Sequence, residues 1–219
     1  MTRLMKENKK TLIITSMVCL IPVIVGIILY PSLPEQLTTH WDISGKPNGY
    51  ESKLVGAIVF PAVMLLVNIS LPLLMRLDPK YENMSPKLKT VVFWSIPLVS
   101  LICSSATLAS GFEIETYVQV VTPLSVGLLF VFIGNYLPKT KQSYMMGIKL
   151  PWTLDNEENW NKTHRLAGFI WVVGGLLIMI SSFFKWRIYV MLPVFVAMIL
   201  VPSTYSYLIY RKMSENGEE

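Results

Sequence analysis

The chain has 219 residues, 53% of them hydrophobic and only 15% charged, with a mean hydropathy of +0.50, a balance too oily for a water-soluble domain. A formal charge of +5 would suit a nucleic-acid ligand, but its Lys and Arg residues are scattered over the connections between apolar runs, so the excess reads as an orientation signal and implies no direct nucleic-acid contact. The two cysteines, Cys19 and Cys103, lie inside apolar runs and imply no disulfide framework.

A membrane-crossing helix rises ~1.5 Å per residue and needs ~20 apolar residues. Six runs meet that requirement, and all 33 Asp, Glu, Lys and Arg residues fall outside them. They are Thr11 to Tyr30, Leu54 to Met75, Thr90 to Phe112, Tyr117 to Leu137, Leu166 to Phe184 and Ile188 to Tyr210. The predicted fold is therefore all-α, a six-transmembrane helical bundle. Behind the basic Arg3, Lys6, Lys9 and Lys10, the first run competes with a cleaved signal peptide. It is longer than a signal-peptide core and no A-x-A-like site follows, so it is read as a span.

The connection from Pro31 to Lys53 is polar, with turn-forming Ser44-Gly45 and Lys46-Pro47-Asn48-Gly49, and is expected to be a compact irregular loop. The second span carries Asn68 between Pro61 and Pro72. The third holds Pro97 and the hydroxyl series Ser95, Ser100, Ser104, Ser105, Thr107 and Ser110, in which Ser100 and Ser104 form a small-xxx-small pair for close helix packing. The fourth has Pro123 and ends near Asn135. Asn68 and Asn135 are expected to hydrogen-bond across helices or to line a cavity. Prolines also interrupt the first span at Pro22 and the sixth at Pro193 and Pro202, so kinks are expected there. No ionisable residue lies within a span, which removes the usual sign of ion coupling.

The connection from Pro138 to Arg165 is the second long one. Asp155 with Glu158 three residues on resembles a capping box, so a helix should start near Asn156 and run into the fifth span. Trp160, His164, Gly168, Trp171 and Gly175 then share one face. Trp160 and His164 read either as a groove for a partner or as an interfacial tryptophan with a solvated histidine.

Lys and Arg residues fix the expected sidedness. With the N-terminus in the cytoplasm, 15 fall inside, whereas only Lys46, Lys53, Lys185 and Arg187 fall outside. Both termini are thus expected in the cytoplasm, the His40 loop outside and the Trp152 loop inside. The chain divides by this pattern into residues 1–112, with the outer loop 31–53, and residues 113–219, with the inner loop 138–165. Similar tags, Tyr30-Pro31-Ser32-Leu33-Pro34 and Tyr136-Leu137-Pro138, open the two loops. They fit two inverted three-helix units or a coincidence.

Only two histidines exist, His40 and His164, and the predicted topology separates them. A metal site at His40 would need Asp42, Glu35 or Glu51, in no recognised zinc spacing. No Walker A, G-x-S-x-G or H-E-x-x-H sequence occurs. The chain is read as a non-enzyme with no cofactor and no metal.

Three segments carry a resemblance: Leu33-Pro-Glu-Gln-Leu-Thr-Thr-His-Trp-Asp42, Gly45-Lys-Pro-Asn-Gly-Tyr-Glu-Ser-Lys53 and Leu77-Asp-Pro-Lys-Tyr-Glu-Asn83. They resemble small bacterial membrane proteins that share a domain of unknown function with SdpI. Gly134-Asn-Tyr-Leu-Pro138, Gly147-Ile-Lys-Leu-Pro-Trp-Thr-Leu154 and Trp160-Asn-Lys-Thr-His-Arg165 resemble the carboxy-terminal signature of SdpI-type immunity proteins. Lys149 and Leu150 stand where that pattern has an arginine and a threonine, and Ser143 stands near an asparagine of the pattern. A lysine at 149 lacks the planar fork of an arginine.

The resemblance implies protection of a bacterium against a secreted, membrane-acting peptide toxin, and capture of a small helix-turn-helix autorepressor at the cell membrane. The outer site expected from it comprises His40, Trp41, Asp42, Asn48, Tyr50 and Lys53. The inner one comprises Asn135, Gly147, Lys149, Pro151, Trp152, Thr153, Leu154, Glu158, Trp160, His164 and Arg165. The alternatives are a transporter or small-molecule permeation protein and a membrane metal-dependent enzyme using the His40 loop.

Overall fold

A computed structural model describes residues 8–42, 45–80, 84, 86–114, 117–144, 146–215 and 217, leaving aside the side chains of Lys87 and Leu88. Arg3, Lys6, Ser44 and the Tyr81-Glu82-Asn83 part of the motif lie outside the described residues. The helices are α1 (Lys9–Leu29), α2 (Phe60–Arg76), α3 (Pro86–Gly111), α4 (Thr122–Tyr136), the short α5 (Pro151–Asp155), α6 (Glu157–Ser181) and α7 (Arg187–Glu215). With their flanking turns, all but α5 are long and apolar enough to cross a membrane. The protein is an all-α membrane bundle in which the outward helix surfaces remain apolar, as lipid contact requires.

Two compact units form, Met1–Leu74 with Thr90–Ser125, and Met75–Lys89 with Val126–Glu219. In the first, π-helical turns Val55–Val59 and Tyr117–Val121 lead into α2 and α4. Each ends two residues before a proline, Pro61 or Pro123, which has no N–H for the α-helical bond to the fourth residue back. Asn68 is fully buried and meets Thr15 and Ser16 of α1, a cross-helix hydrogen bond as expected. Ser100 and Ser104 are buried with no hydrogen-bond partner among the described residues, so small size is what they contribute. Ser95, Ser105 and Ser110 donate to carbonyls of their own helix.

The segment after α1 is not the irregular loop expected. It folds into an antiparallel hairpin, β1 (Gln36–Trp41) and β2 (Pro47–Ser52), with irregular register on either side of His40. Asp42 closes the turn: its backbone pairs with Lys46, its carbonyl accepts from Gly45 N–H, and its Oδ1 accepts from Lys46 N–H. Gly45, at φ 84, supplies the left-handed residue the turn needs. At the base, Lys53 Nζ donates to Glu35 Oε1 at 2.8 Å, and the two main chains also bond. Leu33 and Leu37 anchor the hairpin by packing with Ala57 and Leu108.

In the second unit, α6 packs along α7 and also meets α4 through glycines. A β-carbon on Gly134 would approach the Val172 nitrogen to 2.8 Å, and one on Gly175 would approach the Gly127 carbonyl to 2.5 Å. Backbones come this close only where side chains are absent.

Candidate functional sites

The outer residues expected to face a ligand mostly hold the hairpin together. His40 Nδ1 lies 2.5 Å from Asn48 Oδ1 across the strands. Asp42 is spent on the turn and Lys53 on Glu35, with the Lys53 ammonium 5.0 Å above the Tyr30 ring. Tyr50 is exposed. Trp41 alone of the six lines a cleft of about 540 Å3, which it shares with Lys46, Ser110, Glu113 and Gln119. Lys46 belongs to the Gly45 to Lys53 motif and Ser110 to the hydroxyl series, but neither was assigned to a site, and Glu113 and Gln119 carry no recognisable sequence motif. Among the described residues no three His, Cys, Asp or Glu side chains gather to hold a metal.

The loop of the second unit, expected to face inward, is built around buried hydrogen bonds. Its expected start is corrected by one residue: Asn156, not Asp155, caps α6, its Oδ1 accepting from Asn159 N–H at 2.8 Å. Just before it, Pro151 opens α5, and the Thr153 hydroxyl accepts from Leu150 N–H while donating back to a loop carbonyl. Thr153 is fully buried. The Leu154 carbonyl accepts from Lys80 Nζ at 3.0 Å.

Trp160 and His164 are neither a partner groove nor a solvated interfacial pair, because both are fully buried. Their rings stack at 3.9 Å between centroids. Trp160 Nε1 donates to the Thr140 carbonyl at 2.8 Å. His164 Nε2 accepts from Ile148 N–H at 2.9 Å, which leaves Nδ1–H to donate to the Trp160 carbonyl at 2.8 Å. Gly147, at φ 112, passes directly over this stack, where a β-carbon would strike His164 Nε2 and the indole. Pair and glycine form one lock that holds the loop against α6.

Trp152 ties α5 to the end of α7. Its Nε1 donates to Ser206 Oγ at 2.9 Å, Ser206 Oγ donates to Asn159 Oδ1, and Asn159 Nδ2 donates to the Ser206 carbonyl. The indole stacks on Tyr210 at 5.5 Å and meets Tyr207 edge-on. Beside it opens a cavity of about 280 Å3, lined by Trp152, Asp155, Asn156, Asn159, Tyr210 and Met213.

Sequence reading missed a clasp from the segment after α2. Buried Asp78 accepts from Ser143 Oγ at 2.6 Å and from Lys80 N–H at 2.8 Å. Lys80 Nζ reaches Gln142 Oε1 as well as Leu154, and Gln142 Nε2 donates to the Thr153 carbonyl. The Leu77 to Asn83 motif contained the signal, but nothing local says that its aspartate bonds a serine 65 positions away.

Four expected inner residues lie apart from this core. Asn135 is exposed and makes no cross-helix hydrogen bond among the described residues. Lys149 is exposed and donates to the Tyr144 carbonyl. Glu158 pairs with Lys162 on the solvent side, and Arg165 is exposed. Both ring nitrogens of His164 are taken up by hydrogen bonds to the Ile148 and Trp160 main chain.

Two stretches of the chain match known families. Residues 17–65 match the Domain of unknown function (DUF1648), and residues 139–206 match the SdpI/YfhL protein family. The Immunity protein SdpI of Bacillus subtilis (strain 168) is 28% identical in an alignment of 213 positions that covers 94% of this chain and 98% of that protein. No solved structure matches the chain.

Proposed function

The chain belongs to the SdpI-type family, and from that premise we propose that it is a non-enzymatic immunity protein protecting its bacterium against a secreted, membrane-acting peptide toxin. The observation that carries this reading is similarity to an immunity protein along nearly the whole chain. On this reading the protein sits in the cell membrane with both termini in the cytoplasm, and its halves, residues 1–112 and 113–219, each carry one functional loop. The hairpin of His40, Trp41, Asp42, Asn48, Tyr50 and Lys53 faces the arriving toxin. The Gly147 to Arg165 segment faces the cytoplasm, where the cavity beside Trp152 and Tyr210 takes a side chain of a small helix-turn-helix autorepressor docked on this face. Toxin at one end and repressor at the other are linked only if each favours one of two packings of the helices between them.

Expression in a toxin-sensitive strain tests the immunity reading. Survival on challenge is the expected result, and unchanged killing refutes the reading for that toxin. Trp41→Ala is expected to reduce survival, whereas Trp152→Ala is expected to reduce repressor retention at the membrane and leave survival less affected. Sidedness is read from single cysteines at Asn48 and Lys149: an impermeant thiol reagent should label the first in intact cells and the second only after permeabilisation.

A further inference from the structure

The outer cleft of the first unit is larger than the inner cavity, and the hairpin does not explain its lining. One wall is the hairpin, with Trp41 and Lys46. The opposite wall is the turn between α3 and α4, with Glu113, Ile114 and the first residues of the next span, Val118 and Gln119. Lys46 and Glu113 face the same space, yet neither belongs to an ion pair among the described residues. A cation and an anion held apart in one cleft complement a ligand that carries both charges.

Glu113 occupies a position that chain geometry assigns to glycine. It follows the end of α3 at φ 56, with Glu113 N–H bonded to the Ser110 carbonyl and Ile114 N–H to the Ala109 carbonyl, the left-handed closure of a helix C-terminus. A glutamate there is strained relative to glycine. Its side chain lines the cleft, which gives the strain a purpose.

Depth identifies the ligand. Glu113 and Ile114 join two membrane-crossing helices, Lys89–Gly111 and Tyr117–Lys139. The cleft therefore falls at the level of lipid headgroups, and its lining includes apolar Ile114 and Val118 and a tryptophan, the residue type favoured at a membrane interface. We propose that this cleft binds the headgroup of a phosphoethanolamine lipid, its ammonium on Glu113 and the Trp41 ring and its phosphate on Lys46 and Gln119. The glycerol and acyl chains leave past Ile114 and Val118. A carboxylate accepts hydrogen bonds from a primary ammonium and none from a quaternary one, so Glu113 discriminates ethanolamine from choline. Trp41 attracts either cation and does not discriminate.

The test uses the full chain, delipidated in detergent and offered phosphatidylethanolamine, phosphatidylcholine or phosphatidylglycerol, with bound lipid counted by native mass spectrometry. Phosphatidylethanolamine should bind about tenfold tighter than the choline lipid, the usual worth of one charge-assisted hydrogen bond. Glu113→Gln should abolish that preference, and Lys46→Gln should weaken both lipids alike. Glu113→Gly keeps the backbone conformation and removes the carboxylate, so it should lose the preference without loss of fold. Equal binding of the ethanolamine and choline lipids by the parent chain overturns the proposal. So does a preference that survives in both Glu113 variants, or displacement of all three lipids by a zwitterionic peptide that binds more tightly.

Discussion

Ser143 Oγ donates a 2.6 Å hydrogen bond to Asp78 Oδ2, and with the Lys80 to Gln142 bond this contact fastens the turn after α2 to the loop that precedes α5. Both side chains are buried, Asp78 at 5% and Ser143 at 0% exposure, so the carboxylate has little water to fall back on.

Removing the aspartate should therefore cost more than removing the serine. Asp78→Ala removes the acceptor of both the Ser143 hydroxyl and the Lys80 N–H, an expected loss of about 1–3 kcal/mol. In detergent this should lower the melting temperature by roughly 3–9 °C for a chain of this size. Ser143→Ala should lower it less, because Asp78 keeps the Lys80 N–H. Equal melting temperatures for Asp78→Ala and the parent would disprove the clasp.

Gly147→Ala tests the aromatic lock. Its positive φ and the indole 2.7 Å from an added β-carbon both oppose the substitution, for an expected loss of about 2–4 kcal/mol. Gly217→Ala is the control, with φ 70 and nothing within 4 Å of the new atom; it should change stability by less than about 1 kcal/mol. Thermal unfolding of the two variants side by side decides the point.

Gly26→Ala should open the contact between α1 and the π-helical turn. An added β-carbon would fall on the Ala57 carbonyl oxygen, the group that the missing N–H of Pro61 would meet in an α-helix. Expected destabilisation is about 1–3 kcal/mol. Crosslinking between cysteines placed on the two elements should become less efficient.

Trp152→Phe keeps a ring on Tyr210 but loses the bond to Ser206. Ser206 still donates to Asn159, so the loss should be about 1 kcal/mol. Trp152→Ala, which also removes the stacking, should lose about 3 kcal/mol or more. Matching losses in the two variants would show that the aromatic stack contributes nothing.

Lys53 offers a pH test of the hairpin base. The hydrogen bond to Glu35 raises its ammonium above the ordinary 10.5, burial opposing and the Glu35 charge assisting. A cation whose folded value is raised stabilises fully below its unfolded value, and that contribution is lost as pH climbs through the folded one. The base should thus be intact at neutral pH and weaken only above about 10.5. Lysine Cε carbon-13 NMR should show Lys53 titrating later than the solvated lysines, and Glu35→Gln should remove the delay.

The loop elements were less legible in the sequence than the spans. Every strand residue of β2 except Gly49 is exposed, so no apolar alternation marks it, and β1 buries only the adjacent pair Leu37 and Thr38. The Asn156 cap was displaced by one residue because Asp155 and Glu158 satisfy the same spacing rule. The sequence leaves His164 either in a partner groove or solvated, because its burial depends on Ile148, 16 positions back in the chain.

Sequence alone determined the membrane class and the six spans, because hydrocarbon rejects charge and leaves backbone polar groups only a helix in which to pair, a constraint that acts residue by residue. The same chain could not announce which side chains would meet. Asp78 with Ser143, Gly147 with His164, and Lys46 in one cleft with Glu113 are decided by tertiary structure, since each depends on where a distant segment comes to lie and a polar residue reads alike whether it binds, bonds or is solvated.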